Sequence, residues 1–410
     1  MPKPLEGFRV LDLTQFYSGP WTTLLLAGLG AEVIKVNHPA TGDVVAMGPP
    51  FAGPEGVSFH KQSEDDLGVA YLKRTRNKKS LTLNLKDSRG LDLFYRLVDE
   101  ADVLVENFSV GVTGRLKIDY ETLEKRNPKL VYCSITGYGQ SGPDARLKGY
   151  DAVTQAVSGL MNLTGFPDGP PTKAGSAIAD SIGGTFAYGA ITTALLHRER
   201  TGQGQWIDVS MVDCLLSLVF DEPMDCYDSL GLPDRLGNRI MRLSPFNAYQ
   251  AKDGWLVVGS GTDAHWNNIL RAVGRGELVG DARYADLSGR ITNNDEVDAV
   301  ITQWTEKHTV DEALAELRRF DVICGPVHTI RDILAWPHLK ARDMIEDLPH
   351  PTLGPLSEVK TAAFPLKFNK TPGGYDAPAP LSGEHNEEIL GDHLGLAKEE
   401  IERLKQDGVI

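Results

Sequence analysis

Cysteine is scarce: four residues in 410, at 133, 214, 226 and 324, with no CxxC spacing. That excludes a disulfide framework and a thiolate metal site, and fits reduced thiols in a cytoplasmic protein. The ten histidines include no pair at i, i+4 and no HExxH, so zinc catalysis has no ligands to rest on and no metal is expected. Positive charge is in deficit, at a net −14, which argues against a nucleic-acid partner. No run approaches the roughly 18 apolar residues of a membrane span, and the first residues carry no signal-peptide core. There is no G-x-S-x-G elbow and no P-loop. The expectation is a cytoplasmic protein that touches neither membrane nor nucleic acid.

What is present is a regular alternation. Residues 8–13 read as a strand, Pro20 opens a helix through Leu24, Leu25 and Leu26, Gly30 stops it, and residues 32–36 form the next strand. Residues 81–85, 102–105 and 130–135 read as further strands. Between them Leu91, Phe94, Tyr95 and Val98 fall at helical spacing, and a helix is expected near 121–126. This pattern predicts an α/β chain with a doubly wound, mostly parallel, Rossmann-like sheet whose ligand lies at the carboxyl ends of the strands. A helix-rich stretch follows over 150–227. Composition shifts near Gly231-Leu232-Pro233, where a smaller α/β domain with a capping box at Thr309 and Glu312 begins. The expected division is 1–225 for the large domain, 226–330 for the small one and 331–410 for a C-terminal segment returning to the large one. The tail after Pro337 shows little periodicity until 398–405.

Asp180 stands at the entrance of a helix, before Gly183 and Gly184. An anion there is stabilised by unpaired N–H groups and the helix dipole, and the glycines would admit a bulky ligand to the backbone. A carboxylate so placed is either a simple cap or an oxygen nucleophile. Gly137-Tyr138-Gly139-Gln140-Ser141-Gly142 matches G-x-G-x-x-G, but Pro143 and Asp144 prolong a loop where a nucleotide motif would open a helix. The cluster Lys73, Arg74, Arg76, Lys78 and Lys79 reads as a solvated face or a phosphate receiver.

Taken together, several motifs in this order resemble class III (CaiB/BaiF) CoA-transferases, a group that includes formyl-CoA transferase, carnitine CoA-transferase and α-methylacyl-CoA racemase. The carriers are Leu5-Glu6-Gly7 with Val10-Leu11-Asp12-Leu13, Ser18-Gly19-Pro20, Gly30-Ala31-Glu32-Val33-Ile34-Lys35-Val36 and Asn77-Lys78-Lys79-Ser80. Val105-Glu106-Asn107-Phe108, Arg115, Gly137-Tyr138-Gly139-Gln140, Gly149-Tyr150-Asp151, Ala179-Asp180 and Thr201-Gly202-Gln203-Gly204-Gln205 complete the set.

The resemblance implies an acyl-CoA and a free carboxylic acid as substrates, coenzyme A as the group moved, and Asp180 as covalent acyl carrier. It implies catalytic positions at Tyr150 and Gln15, with backbone N–H groups of 15–17 receiving the oxyanion. CoA contacts would fall on Phe16, Tyr17, His38, Leu83, Asn107, Phe108, Arg115 and Lys148, with His38 where the family usually has a basic residue. It further implies an interlocked homodimer, although some relatives pair unlike subunits. Racemases carry His where this chain has Tyr150. An unperturbed phenol, titrating near ~10, is a poor base at neutral pH, which favours transfer over racemisation. The alternatives are an α-methylacyl-CoA racemase and a non-catalytic CoA-ester-binding subunit. A dicarboxylate such as succinate is the expected acid, and 40–73 is the segment expected to shape its pocket.

Overall fold

The computed structural model describes residues 2–410. The chain divides into two compact units. The larger joins the chain up to Gly159 with Ala174–Glu222 and Pro337–Ile410; the smaller joins Leu160–Lys173 and Pro223–Trp336.

In chain order the larger unit opens with β1 (Arg9–Asp12), α1 (Ser18–Gly28), β2 (Glu32–Asn37), α2 (Val69–Arg74), β3 (Lys79–Thr82), α3 (Ser88–Asp99), β4 (Val103–Glu106) and β5 (Val131–Thr136). It continues with α4 (Asp151–Val157), α5 (Ile178–Thr201), β6 (Gln205–Ser210) and α6 (Met211–Val219). The six strands form one sheet in the order β3-β2-β1-β4-β5-β6, parallel at every pairing. Successive residues on each strand serve opposite faces. Leu11, Ile34, Leu104 and Tyr132 join one core with Phe94, Leu97 and the chain terminus at Ile401, Leu404 and Ile410. Val10, Val33, Val103, Val105 and Val131 join another with Leu26 and Ala27 of α1 and Ala187, Ile191 and Ala194 of α5. Both faces of the central strands are covered, so β1, β4 and β5 carry adjacent buried apolar residues rather than an alternation, which makes them legible as short hydrophobic runs.

Three local expectations shift. The strand expected at 81–85 lies at Lys79–Thr82, because pairing with β2 stops at Thr82 and Asn84 turns to donate its N–H to Val409. The buried face of α3 is centred on Leu93, Phe94, Leu97 and Val98, with Leu91 and Tyr95 at its margin. Within 40–73, strands Phe51–Gly53, Gly56–Ser58 and Leu67–Gly68 make a small antiparallel sheet.

In the smaller unit β7 (Phe246–Gln250), β8 (Trp255–Gly259) and β9 (Ile323–Pro326) form an antiparallel sheet. It carries α7 (Asp263–Ala272), α8 (Asn294–Thr305) and α9 (Val310–Arg319). Tyr249, Leu256, Trp266, Ile301 and Leu317 are among its core residues, and α9 starts at the capping box of Thr309 and Glu312. The tail of the chain holds a hairpin, β10 (Ile345–His350) with β11 (Gly354–Ala362), and then α10 (Lys398–Gln406). Pro349, Pro355 and a register shift at Asp347/Leu348 interrupt the alternation that would have marked the hairpin in the sequence.

Candidate active site

A cleft of about 270 Å³ lies at the carboxyl ends of the central strands. Between β1 and β4 the strand order reverses direction, the place where doubly wound sheets hold ligands. The loop after β1 and the first residue of α1 supply Gln15, Phe16 and Ser18 to the cleft, the loop after β4 supplies Asn107 and Phe108, and the end of β5 and the residue after it supply Thr136 and Gly137. Lys148, Tyr150 and Asp180 stand in the same wall.

The loop after β1 rests on a buried charge quartet. Asp12 accepts from the Thr14 N–H at 2.8 Å and the Thr23 hydroxyl at 2.6 Å. Lys78 Nζ lies 3.0 Å from Asp12 and also donates to the Pro20 carbonyl. Lys35 Nζ reaches the Thr14 carbonyl at 2.6 Å and Asp43 at 3.0 Å. Two cations and two anions are thus removed from water together. Burial alone would push the Asp12 carboxyl up, but Lys78, Lys35 and the two threonines outweigh it and hold it at about 2. Lys78 has the reverse balance: burial pushes it down to about 8 against the pull of Asp12. The basic run 73–79 is therefore neither a solvated face nor a phosphate receiver as a whole. Arg76 pairs with Glu346 at 3.3 Å and lies over Tyr375, and Lys79 bridges Glu32 and Glu388 at 2.6 Å each.

Above the quartet the loop is clamped by Asn107, whose side chain accepts the Gln15 N–H at 2.9 Å and donates to the Gln15 carbonyl at 2.8 Å. Asn107 thus positions the loop, and the Gln15 N–H is already spoken for. The N–H groups of Phe16 and Tyr17 have no acceptor among the described residues. Phe16 holds a left-handed backbone, φ 65°, a conformation of about 1–3 kcal/mol strain for a bulky residue that the clamp sustains. Its ring is 48% exposed and meets Tyr150 edge-on at 5.5 Å. Tyr150 itself is a rim residue at 63% exposure.

Asp180 sits in the first turn of α5, yet it is not the cap. The Asp151 carboxylate, from the start of α4, accepts the N–H groups of Ala179 at 2.8 Å and Asp180 at 3.3 Å. Local capping rules look to residues just ahead of a helix; this anion comes from 28 residues away in the chain. The Asp180 side chain is left to face the cleft, with Ser18 in the same wall. Burial pushes its carboxyl up to about 6, the Asp151 charge adds to the rise, and Arg74 and Ser18 pull part of it back. No cation lies within ion-pair distance of Asp180 among the described residues. The adjacent glycines serve packing rather than a ligand. A Cβ on Gly184 would stand 2.5 Å from the Ser18 carbonyl of α1, and one on Gly183 would meet Met211 at 2.8 Å. Without those Cβ atoms α5 closes on α1 at Gly184 and on Met211 of α6 at Gly183. Likewise the 137–142 stretch is a turn: a Cβ on Gly137 would lie 2.9 Å from the Gly149 backbone.

Of the residues singled out in the sequence, Gln15, Phe16, Asn107, Phe108, Lys148, Tyr150 and Asp180 line one cleft. Tyr17 stands just outside it, its hydroxyl accepting from Ser181 at 3.1 Å and its ring covered by Arg74. His38 is exposed in a local turn, its Nδ1 accepting from Ala40 N–H. Leu83 is 2% exposed inside the core, so its side chain has almost no surface for an adenine ring. Arg115 is exposed on the short helix Val112–Leu116 and does not line the cleft. Sequence reasoning gave no role to Ser18, Asp151 or Glu106. Glu106 is buried and accepts the Phe108 N–H at 2.8 Å; burial pushes its carboxyl up to about 7. Among the described residues one acidic group with metal-ligand proximity occurs, Glu32, Glu388 and His393, and Arg9 and Lys79 already neutralise Glu32. No helix there is long and apolar enough to cross a membrane.

Known proteins are similar to this chain in sequence and fold. Residues 5–386 match the profile of CoA-transferase family III. A succinate–glutarate CoA-transferase of Agrobacterium fabrum is 37% identical over 95% of this chain and 95% of its own. A succinyl-CoA–D-citramalate CoA-transferase of Chloroflexus aurantiacus is 35% identical over 100% of this chain and 98% of its own. The crystal structure of a CAIB/BAIF family protein from Brucella suis superposes with a TM-score of 0.80 at 36% identity, covering 96% of this chain and 100% of that one. With a cleft at the strand reversal and an unpaired carboxylate in its wall, this chain belongs to CoA-transferase family III.

Proposed function

We propose that this enzyme carries CoA from a dicarboxylic acyl-CoA such as succinyl-CoA to a free dicarboxylic acid, with Asp180 as covalent carrier. The observation that carries this is the state of Asp180: in the cleft wall, relieved of capping by Asp151, and without a cation paired to it. A carboxylate stripped of water and counter-ion is a better nucleophile than one in a salt bridge. The acids named for the Agrobacterium and Chloroflexus relatives are dicarboxylates, which supports that substrate class.

In the first step an Asp180 oxygen adds to the thioester carbonyl. The free N–H groups of Phe16 and Tyr17 at the start of α1 are suited to the oxyanion. The C–S bond breaks, CoA leaves as thiolate, and an acyl-aspartyl anhydride remains. The thiolate then attacks the aspartyl carbonyl, expelling the donor acid and leaving an aspartyl-CoA thioester. The acceptor carboxylate attacks that thioester, freeing the thiolate again and forming a new anhydride. Attack of the thiolate on the acceptor carbonyl yields the new acyl-CoA and restores Asp180. Thioester and anhydride alternate, so no ATP is consumed.

Phe108 and Lys148 suit the adenine face and the phosphates of CoA, and Phe16 and Tyr150 the mouth through which the thioester enters. An interlocked homodimer belongs to the same reading. Phe186 and Leu196 on α5, and Leu216 and Leu218 on α6 with Phe220 just after it, are 43–60% exposed, the kind of apolar surface that a partner copy covers. The test is intact-protein and peptide mass spectrometry after incubation with succinyl-CoA alone. A CoA adduct on the peptide holding Asp180 is expected; transfer that proceeds with no adduct there, and in Asp180→Ala, would refute the proposal.

A further inference from the structure

Arg74 is a cation at this site without an anion of its own. It ends α2, and its guanidinium lies over the Tyr17 ring at 4.3 Å. One N–H donates to the Phe16 carbonyl. Its neighbours in the basic run differ: Arg76, Lys78 and Lys79 each hold a carboxylate. Among the described residues none lies within ion-pair distance of Arg74, although its charge acts on Asp180. Stacking fixes the plane of the guanidinium, and four of its five N–H donors have no acceptor among the described residues. A planar fork held in this way suits one ligand group above others, a carboxylate bound by two parallel N–H bonds.

The chemistry also calls for such a group. An acceptor acid meets Asp180 as its CoA thioester, and the charge it approaches there is the Asp151 carboxylate beside it. A dicarboxylate brings two charges there, only one of which reacts. Arg74 is not part of the cleft wall that holds Lys148 and Phe108, so it leaves the CoA contacts untouched. We propose that Arg74 selects dicarboxylic acids, its free N–H groups taking the carboxylate that does not react while the other meets the Asp180 acyl centre. This rests on Asp180 as the carrier.

The experiment compares two acceptors with one reacting carboxylate each way, glutarate and monomethyl glutarate, using the same CoA donor. The wild type prefers glutarate, through KM rather than kcat. Arg74→Gln lowers the ratio of kcat/KM for glutarate over the ester by about 10- to 100-fold, the range of one charge-assisted bidentate contact. A wild type that does not distinguish the two acceptors overturns the proposal without any variant. So does an Arg74→Gln protein that loses both acceptors by one factor, since Arg74 would then only hold the Phe16 loop. The CoA adduct on the Asp180 peptide is a separate readout: its absence sinks the carrier assignment, while its presence with an unchanged ratio sinks only the role of Arg74.

Discussion

Asp12 and Asp180 both present a carboxylate to the amino-terminal part of α1, one from below the loop and one from its rim, and their surroundings are opposite. Asp12 has Lys78 at 3.0 Å, two hydroxyls and a backbone N–H, and stays ionised at about 2 in full burial. Asp180 has Ser18, a neighbouring carboxylate and an arginine, Arg74, that forms no ion pair with it, and its carboxyl rises to about 6. Both are desolvated; what differs is pairing. A paired carboxylate spends its lone pairs on holding structure, whereas an unpaired one keeps them for a reacting carbon. In the proposed mechanism, the difference separates the residue that holds the loop from the residue that carries the acyl group.

The comparison breaks most sharply on substitution of each carboxylate's surroundings. Asp180→Ala is expected to lower CoA transfer by about a thousandfold or more, with unchanged or slightly raised thermal stability; a calorimetric scan beside the assay checks both halves. Lys78→Met should do the reverse in kind. It leaves Asp12 buried without its main counter-ion and costs about 3–5 kcal/mol of folding stability, read by urea unfolding at neutral pH. Were Lys78→Met as stable as the wild type, the quartet would not be what holds the loop.

Smaller effects sharpen the contrast. With Asp180 as the proposed carrier in its ionised form, the rate of transfer should rise with pH and reach half its plateau near pH 6. Asp151→Asn keeps an acceptor for the Ala179 N–H and removes the like charge, so the midpoint should move to lower pH. A midpoint that stays put would mean that Asp151 acts only as a cap. The smallest effect is expected at Glu106. Its folded carboxyl at about 7 lies above the ordinary carboxylic range, so the native state binds this proton more tightly. That contribution to stability is full below about pH 4.5 and is lost as pH rises through about 7. Glu106→Gln can keep the bond to Phe108, so it should exceed the wild type by roughly 1–3 kcal/mol at pH 8 and by less at pH 5.

Much of the large unit was readable because its central strands are buried on both faces. Residues such as Val10, Leu11, Val103 and Leu104 leave unbroken apolar runs, and Pro20 and Gly30 bracket the helix between the first two strands. Asp180 was legible for a related reason, as a carboxylate at a helix entrance beside two glycines. Its neighbours were not. No rule of spacing joins Asp151 to the start of α5, or Asn107 to the loop after β1, because those bonds span 28 and 92 positions. Leu83, His38 and Arg115 matched a motif by position, yet Leu83 lies in the core, and His38 in its turn and Arg115 on its short helix are exposed away from the cleft wall.

The amino-acid order by itself determined the alternation of strands and helices, the acidic, cysteine-poor character and the presence of a carboxylate where α5 begins, because periodicity, caps and composition act through near neighbours. Only the tertiary structure decided that Arg74, Arg76, Lys78 and Lys79 of the basic cluster have separate fates, that two glycines serve helix packing, and that Asp151 rather than Asp180 closes the helix end. The physical reason is that charge pairing and desolvation depend on distance in space, which a run of letters does not contain.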